Sequence, residues 1–454
     1  MDSTRSDQEK RDPYFIQIGL DFGTSYSKCI CRDIMLDKAW VYINPKSEHQ
    51  ELPFLIPSTL IVKNNGICLA DDFDNHYPEN GLFHLKSALV LSTNGAVEHP
   101  LLSPYRNAVR LKSSKQFPIF VQSCGVYFLA GVLGGIKKQI KIRFPDFGDC
   151  FDDYVAVNMA VPVENAEEPA INRLFLRMLS ESWQLSEPLA DHPHIHLQHL
   201  ISLRKKVQKE KGKKPDLACY VFPEVSANVQ GFVRSRLSSP GVYLFSDTGG
   251  GTVDQSIFIF LREENKEHLT YLAARVLPLG SSQIENRAAT ECGEMDCLSL
   301  EKWRGRKERG ENHPELQEAQ KWVFAKLGLG TESTLALAKR KLIVKQQLNR
   351  CRVIFGGGGD CDFPYRKGVL LPFKGQLFQD QLTPDIIGMP IPKDLELESS
   401  QSKWMRRLSV AYGLSFHKSE LTPFTYPRDT PDPTPEEIWQ PSKPIGGAPT
   451  KDEC

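Results

Sequence analysis

The chain has 454 residues, of which 40% are apolar and 25% charged, as is ordinary for a globular protein. Domains usually hold about 100–200 residues, so this length predicts two or three domains or subdomains. Lys and Arg together number 56, as do Asp and Glu, and the zero net charge argues against a general affinity for nucleic acid or an anionic membrane.

Cysteine use and the first residues indicate the cellular compartment. The 11 cysteines are odd in number, and the opening MDSTRSDQEKRD has no signal-peptide pattern. We also expect no apolar run near the ~18 residues that span a membrane. These features predict a cytoplasmic protein with free thiols, with the nucleus not excluded. Cys29 and Cys31, two apart on a predicted strand, are expected to pack rather than bind metal.

The N-terminal half combines strand and helix patterns. Residues 1–13 are polar and predicted to be disordered. Strands are predicted at 15–20, 28–31, 39–43, 57–62 and 154–161. Helices are predicted at 117–144 and at 164–185, the latter with one apolar face formed by Ile171, Leu174, Phe175, Met178 and Leu179. The apolar segment 82–91 carries a single Lys86, which is either a surface lysine or part of a site.

The segment 186–216 breaks this alternation. It holds four histidines and a basic run from Arg204 to Lys214. Histidines at such spacing could bind a metal, but a solvated surface insertion is the favoured interpretation. The basic run is predicted to be a solvated helix face. The four histidines are His192, His194, His196 and His199.

The C-terminal half returns to alternating strands and helices. Strands are predicted at 218–224, 242–245, 255–261 and 353–355, and helices at 314–327, 333–350 and 403–416. Four glycines at 356–359 permit either a close backbone approach to a ligand or a flexible loop. The proline-rich residues 418–454 are predicted to be disordered.

Two short stretches share one layout. DFGTSYS (21–27) and DTGGGTVD (247–254) each begin with an acid at the end of a predicted strand and continue with glycine and hydroxyl residues. Consecutive backbone N–H groups in such turns can hold an anion, and a strand-end carboxylate can hold hydrated Mg²⁺. Two loops of this kind facing each other would hold the phosphates and the metal of a nucleotide. The alternative is two tight β-hairpins with Gly-rich turns.

The order of the motifs resembles the actin-like ATPase superfamily, and within it the ATPase domain of the seventy-kilodalton heat-shock chaperones. The resemblance covers roughly residues 14–417, with LPLGSSQIENR (277–287) as a further family-like segment. Its five main segments are LDFGTSYS (20–27), VAVNMAVPVENA (155–166), DTGGGTVD (247–254), VIFGGGGD (353–360) and SVAYGLS (409–415).

The resemblance implies an α/β fold with two lobes, each with a ribonuclease-H-like core, around a cleft for ATP or ADP and Mg²⁺. The lobes would span 14–232 and 233–417, with a final helix at 403–417 returning to the first lobe. In this family Asp21 and Asp247 would be the metal acids, Glu224 would position the attacking water, and Lys86 would face the phosphates. The resemblance assigns the phosphate contacts to Gly23, Thr24, Ser25, Tyr26, Gly249, Gly250, Gly251 and Thr252, with Asp254 as a second carboxylate of the nucleotide site. It assigns the nucleoside side to Gly280, Glu318, Lys321, Trp322, Gly356, Gly357 and Gly358.

The adenine side departs from the family pattern. Trp322 stands where the family has an arginine that stacks on adenine, and Gly358 and Asp360 stand where it has a serine and an arginine. Arg407 stands where it has an acid. These changes resemble the divergent twelve-subgroup branch of the chaperones. Trp322 either stacks on adenine or packs in the core of its lobe.

The resemblance implies an ATP-binding, ATP-hydrolysing chaperone-like protein whose lobes open and close with the nucleotide. An unidentified protein partner or co-chaperone would recognise that state, and neither nucleic acid nor a membrane is an expected partner. Too few residues follow Phe416 for the family's β-sandwich peptide-binding domain. A nucleotide-binding scaffold without turnover is the alternative, and a small-molecule kinase of the same superfamily is a less favoured one.

Overall fold

The computed structural model has a mixed α/β fold with three sheets among its described residues. These residues are 11–45, 51–64, 66–70, 77–108, 116–161, 169–189, 192–210, 218–235, 238–263, 266–294, 296–359, 363–378 and 381–433.

Strands and helices alternate along much of the described chain. The strands are β1 Phe15–Asp21, β2 Tyr26–Asp33, β3 Lys38–Val41, β4 Ile56–Pro57, β5 Leu60–Lys63, β6 Gly66–Leu69, β7 Gly81–Leu82, β8 Tyr154–Val161, β9 His194–His196, β10 Cys219–Pro223, β11 Gly241–Thr248, β12 Val253–Glu263, β13 Lys266–Leu277, β14 Arg352–Gly357, β15 Ile386–Ile387, β16 Leu395–Glu396 and β17 Phe424–Thr425. The α-helices are α1 Leu85–Thr93, α2 Ser103–Ala108, α3 Gln116–Arg143, α4 Pro169–Leu185, α5 Leu197–Glu210, α6 Glu224–Asn228, α7 Gln230–Val233, α8 Ser282–Glu291, α9 Cys297–Glu308, α10 Pro314–Lys341, α11 Tyr365–Leu370 and α12 Met405–Leu414.

The first sheet is built around β1. This strand pairs antiparallel with β2 and parallel with β8, and the order across the sheet is β10-β8-β1-β2-β3-β16. Ile16, Ile18 and Leu20 are fully or almost fully buried, which is typical of a central strand in an α/β sheet. The strand predicted at 15–20 is confirmed.

The second sheet repeats the connectivity of the first. Its order is β15-β14-β11-β12-β13-β17, in which β11 pairs antiparallel with β12 and parallel with β14. The five strands β15-β14-β11-β12-β13 therefore match β10-β8-β1-β2-β3 strand for strand. In the first sheet the loop that joins β1 to β2 is one of the two acid-and-glycine stretches, and in the second sheet the loop that joins β11 to β12 is the other. The repeat therefore places these two loops equivalently.

The last helix, α12, lies against the first sheet although it follows the second in sequence. It contacts β1, β2 and α6, and it also touches β14. A Cβ atom at Gly19 of β1 would collide with the α12 backbone. Asn158 of β8 donates to the carbonyl oxygens of Leu414 and Phe416 at 2.9 Å each. The helix therefore joins the two sheets at the base of the cleft described below.

The helix α3 is long and apolar because it is a core helix. In the described part of the chain, this 28-residue helix is the one that is both long and apolar enough to cross a membrane. However, 78% of its most apolar window is buried inside the fold. The expectation that no apolar run approaches this length is therefore wrong. Packing against α1, α4 and α5 accounts for the composition without a membrane.

The two helices predicted on either side of residues 328–332 form one helix, α10, followed by a 3₁₀ segment at Lys345–Arg350. Gly328 and Gly330 lie between the two predicted helices. In the fold their missing side chains make room for Leu371 and Leu277, which would lie 2.9 and 2.7 Å from added Cβ atoms. The helix α4 is confirmed, with its predicted apolar face buried, although residues 164–168 lie outside the described residues.

The segment 186–216 is not a solvated insertion where the structure describes it. The strand β9 pairs antiparallel with β6, with Ile195 opposite Ile67, and the helix α5 follows directly. In the basic run Lys205, Lys206 and Lys209 are exposed on α5, as predicted, whereas Arg204 is 4% exposed and donates to Glu181 at 2.8 Å. Residues 211–214 of the basic run lie outside the described residues.

The chain ends also differ from the prediction of disorder. Arg11 forms ion pairs with Asp146 and Asp153, and residues 1–10 lie outside the described residues. At the other end β17 pairs parallel with β13, and Thr430 donates to the Tyr271 carbonyl. Residues 423–430 therefore dock on the second sheet, and residues 434–454 lie outside the described residues.

Candidate functional site

A cleft of about 2530 Å³ lies between the two sheets at the ends of β1, β10 and β11. Ligands of open α/β sheets usually bind at the carboxyl ends of the strands. Both acid-and-glycine loops line the cleft, together with residues of α1 and α9. Tyr77 is a buried residue of the cleft lining: its hydroxyl donates to Glu285 Oε1 at 3.3 Å, and its ring packs into the core of the second sheet.

The first hairpin places an acid and a lysine side by side. Asp21, at the end of β1, is 2% exposed and lies opposite Lys28 of β2 in the strand register. Lys28 Nζ donates to Asp21 Oδ2 at 2.5 Å. Asp21 Oδ1 is buried and has no hydrogen-bond partner among the described residues. One carboxylate oxygen is thus free to bind a cation.

The second hairpin places two acids side by side. Asp247 faces Asp254 across β11 and β12, so both carboxylates lie on one face of the sheet. Burial, followed by the charge of Glu224, raises the pKa of Asp247 to about 7, although Asn228 donates to Asp247 Oδ2 at 2.5 Å. Burial and Glu224 also raise the pKa of Asp254 well above its ordinary value. This side of the cleft thus holds two acids whose charged forms are disfavoured until a cation is present.

Glu224 and Lys86 form a buried ion pair at the base of the cleft. Lys86 Nζ donates to Glu224 Oε2 at 2.9 Å, and the two residues are 6% and 9% exposed. Burial alone would lower the pKa of Lys86, but the charges of Glu224 and Asp21 outweigh it and raise the pKa. Lys86 is therefore a charged, buried cation and not a surface lysine.

The two loops meet across the cleft. A Cβ atom at Gly250 would collide with Ser25 Oγ, and one at Gly251 would lie 2.9 Å from Thr24 Cγ2. Gly280 and the two serines after it support the second loop from behind, because their N–H groups donate to the carbonyls of residues 249–251 at 2.9–3.1 Å. A side chain at Gly250 would have to displace the Ser25 hydroxyl, so glycine there lets the two loops approach closely.

The glycine run after β14 lies beside Asp247. Gly357 has φ +84°, and a Cβ atom there would collide with Asp247 Oδ1. Gly357 and Gly358 line the cleft, whereas Gly356 lies behind them against Phe245. Asp360 lies outside the described residues.

On the nucleoside side the structure brings only part of the predicted set to the cleft. Trp322 lines the wall, half-buried, with the Arg287 guanidinium 4.6 Å from its ring centroid. Glu318 and Lys321, on the same helix, are exposed and are not among the described residues that line the cleft.

The charges of the site fit a bound cation. Four carboxylates lie together with two lysines, and Asp21 Oδ1 and Asp254 Oδ1 are buried without partners among the described residues. No set of three or more His, Cys, Asp or Glu side chains in that part of the chain is arranged to hold a metal ion, and this applies to the histidines of 192–199 as well. Hydrated Mg²⁺ does not need such a set, because it keeps several waters and uses one or two carboxylates plus phosphate.

Two residues of the site, Lys28 and Asn228, were not predicted from the sequence. Lys28 follows Asp21 by seven positions, as Asp254 follows Asp247, so the repeated spacing could have identified it. Asn228 follows Glu224 by four positions on one short helix, which carries it beneath Asp247. Arg407, already singled out from the sequence, donates from α12 to the Gly358 carbonyl oxygen at 3.4 Å.

Comparison with known proteins gives no assignment. Neither a scan against protein-family models nor a search of curated proteins finds a match to this chain.

Proposed function

We propose that this chain is a Mg²⁺-dependent, ATP-binding and ATP-hydrolysing protein with a two-lobed actin-like fold of the heat-shock chaperone type. The observation that supports this most is the pair of equivalent hairpins whose acids and glycine loops meet in one cleft. Two unrelated hairpin turns would have no reason to share strand order, register and a common space between them.

Each loop has a role on this proposal. Asp21 and Asp247 hold the hydrated metal, and Asp254 holds its water shell. The backbone N–H groups and hydroxyls of residues 23–26 and 249–252 bind the phosphates. When bound, Mg²⁺ neutralises the charge that develops on the leaving phosphates.

Glu224 orients the attacking water. The ion pair with Lys86 fixes one carboxylate oxygen, Oε2, and keeps Glu224 in place. The charges of Asp21 and Asp254 also raise the pKa of Lys86, so its ammonium group interacts with the region proposed for the phosphates. The nucleoside lies toward Trp322, Gly357 and Gly358, with Gly280 and Gly356 shaping the loops behind.

The nucleotide would govern how the two lobes close, which is hinge closure around a ligand. Tyr77, from the N-terminal half of the chain, donates to Glu285 of α8 in the lining of this cleft. A protein partner or co-chaperone would recognise the open or closed state.

A scaffold that binds nucleotide without turnover is the second candidate. The observation that favours it is that two of the proposed functional acids already have cationic partners, Lys28 on Asp21 and Lys86 on Glu224. This candidate predicts nucleotide binding without phosphate release.

The experiment is isothermal titration with ATP and ADP, with Mg²⁺ or with EDTA, followed by a phosphate-release assay on the same sample. We expect binding that Mg²⁺ strengthens, and more so at pH 8 than at pH 6, because protons compete with the metal at Asp247 when its pKa is about 7. Binding without phosphate release would favour the scaffold. Absence of binding in every buffer would contradict both candidates.

A further inference from the structure

The cleft contains a further positively charged residue, Lys28, which was not among the site residues predicted from the sequence. Lys28 Nζ is 2.5 Å from Asp21 Oδ2, and only 17% of the Lys28 side chain and 3% of the Asp21 side chain are exposed. The other carboxylate oxygen of Asp21 has no partner among the described residues. An acid proposed to hold the metal is therefore already shared with a lysine.

The two hairpins carry different residue pairs at the register position of the strand-end acid. Asp21 is opposite Lys28, whereas Asp247 is opposite Asp254. Residues directly opposite each other in an antiparallel pair have their side chains on the same face. The strand register therefore places Lys28 beside Asp21 in the same way as it places Asp254 beside Asp247. The first pair is neutral and the second carries two acids.

Lys28 also lies next to the first loop. Its Nζ would be 3.8 Å from a Cβ atom at Gly23, so the ammonium group lies beside the backbone proposed to bind phosphate. The other buried lysine of the cleft, Lys86, is hydrogen-bonded to Glu224. An ammonium group is a compact charge on a flexible stem, so it can turn between a carboxylate and a phosphate oxygen.

We propose that Lys28 is a built-in cation that shares Asp21 with the metal and so makes nucleotide binding less dependent on Mg²⁺. The inference rests on the proposed function. Two effects act in the same direction. Lys28 competes with Mg²⁺ for Asp21, and it offers positive charge to the phosphates when the metal is scarce. Asp247 and Asp254 have no lysine hydrogen-bonded to them in the described structure, so Mg²⁺ keeps part of its effect.

The test is isothermal titration of ATP into wild type, Lys28→Met and Lys28→Arg, each in excess Mg²⁺ and in EDTA. The measured quantity is the Kd in EDTA divided by the Kd in Mg²⁺. We expect this ratio to rise about tenfold or more in Lys28→Met, mainly through weaker binding in EDTA. Lys28→Arg, which keeps the charge, should stay near the wild-type ratio. Lys137→Met removes a lysine that pairs with Glu187 outside the cleft and is the matched control.

A second readout needs no nucleotide. With Asp21 released from Lys28, Mg²⁺ alone should raise the melting temperature of Lys28→Met more than that of wild type. Lys28→Gln, whose amide can still donate to Asp21, carries both measurements if Lys28→Met does not fold.

Two results would overturn this inference but leave the proposed function standing. One is an unchanged ratio of the Kd in EDTA to the Kd in Mg²⁺ in Lys28→Met and Lys28→Gln. The other is an equal rise of the Kd in both buffers. In the second case Lys28 would be a phosphate contact without a link to the metal. A wild-type protein that binds no ATP in either buffer would contradict the proposed function itself, and this inference with it.

Discussion

Lys86 Nζ and Glu224 Oε2 lie 2.9 Å apart at the base of the cleft, and the two residues come from positions 138 apart in the chain. Both are buried, and neither would be stable there without the other, because an unpaired buried charge is strongly destabilising. The fold therefore maintains this pair at the point where the two acid-and-glycine loops meet.

The pair gives the first prediction. Glu224→Gln keeps an oxygen for Lys86 but removes the negative charge that would orient the attacking water. We expect ATP hydrolysis to slow by roughly 100-fold or more with little change in ATP affinity, as measured by single-turnover phosphate release and titration. Glu181→Gln, at a buried acid far from the cleft, controls for a general effect on folding. An unchanged rate would remove Glu224 from the mechanism.

How far the sequence predicted this fold depends on the range of the interactions. The strands beside the two loops, the helix α4 and the acids Asp21, Asp247 and Asp254 follow from local patterns, whereas Glu224 was assigned only through the family resemblance. The structure brings all four acids to one cleft. The strand β9 was missed because its pairing with β6 joins residues about 130 positions apart, as in the His194 bond to the Lys63 carbonyl oxygen. The helix α10 was divided in two because tertiary packing around Gly328 and Gly330 overrides their low helix propensity.

The C-terminal segment that docks on β13 gives the second prediction, which is the opposite of what its proline-rich sequence alone indicates. A chain ending at Leu421 loses the pairing of β17 with β13 and the bonds between Thr422 and Gln230. We expect it to lose roughly 2–4 kcal/mol of unfolding free energy in urea titrations. A chain ending at Pro433 keeps these contacts and is the control. Equal stability of the two truncations would show that the segment contributes nothing.

His84 predicts a dependence of stability on pH. It is buried before α1 with φ +54°, and burial lowers its pKa from the ordinary 6.5 to about 4. Between pH 6.5 and 4 the unfolded chain takes up a proton that the folded chain does not. Stability is therefore retained above pH 6.5 and is lost as pH falls, by up to ~1.4 kcal/mol per pH unit from this residue.

The variant His84→Asn tests this, because asparagine tolerates the left-handed backbone conformation and does not titrate. Between pH 7 and pH 5 its unfolding free energy should fall less than that of wild type. The exposed His199→Asn should follow wild type. Identical pH profiles for wild type and His84→Asn would show that His84 is not the titrating group.

Trp322 gives a prediction for the base. One face of the indole is near Arg287, and the residue is half-buried against the core of the second sheet. If Trp322 also stacks on adenine, Trp322→Ala should weaken ATP binding by about 1–3 kcal/mol, whereas Trp322→Phe should keep most of the affinity. Thermal melts with and without ATP separate this from packing. Lower stability with an undiminished ATP-induced shift would leave Trp322 with a packing role only.

The central claim is that the two acid-and-glycine loops form one metal-nucleotide site, and Asp247→Asn tests it most directly. The measurement is the ATP affinity of wild type and variant by isothermal titration, with Mg²⁺ and with EDTA, and with Glu396→Gln, in an exposed ion pair outside the cleft, as control. The account predicts that Mg²⁺ strengthens ATP binding in wild type and in the control but has little effect in Asp247→Asn. An equal effect of Mg²⁺ on wild type and Asp247→Asn would contradict it.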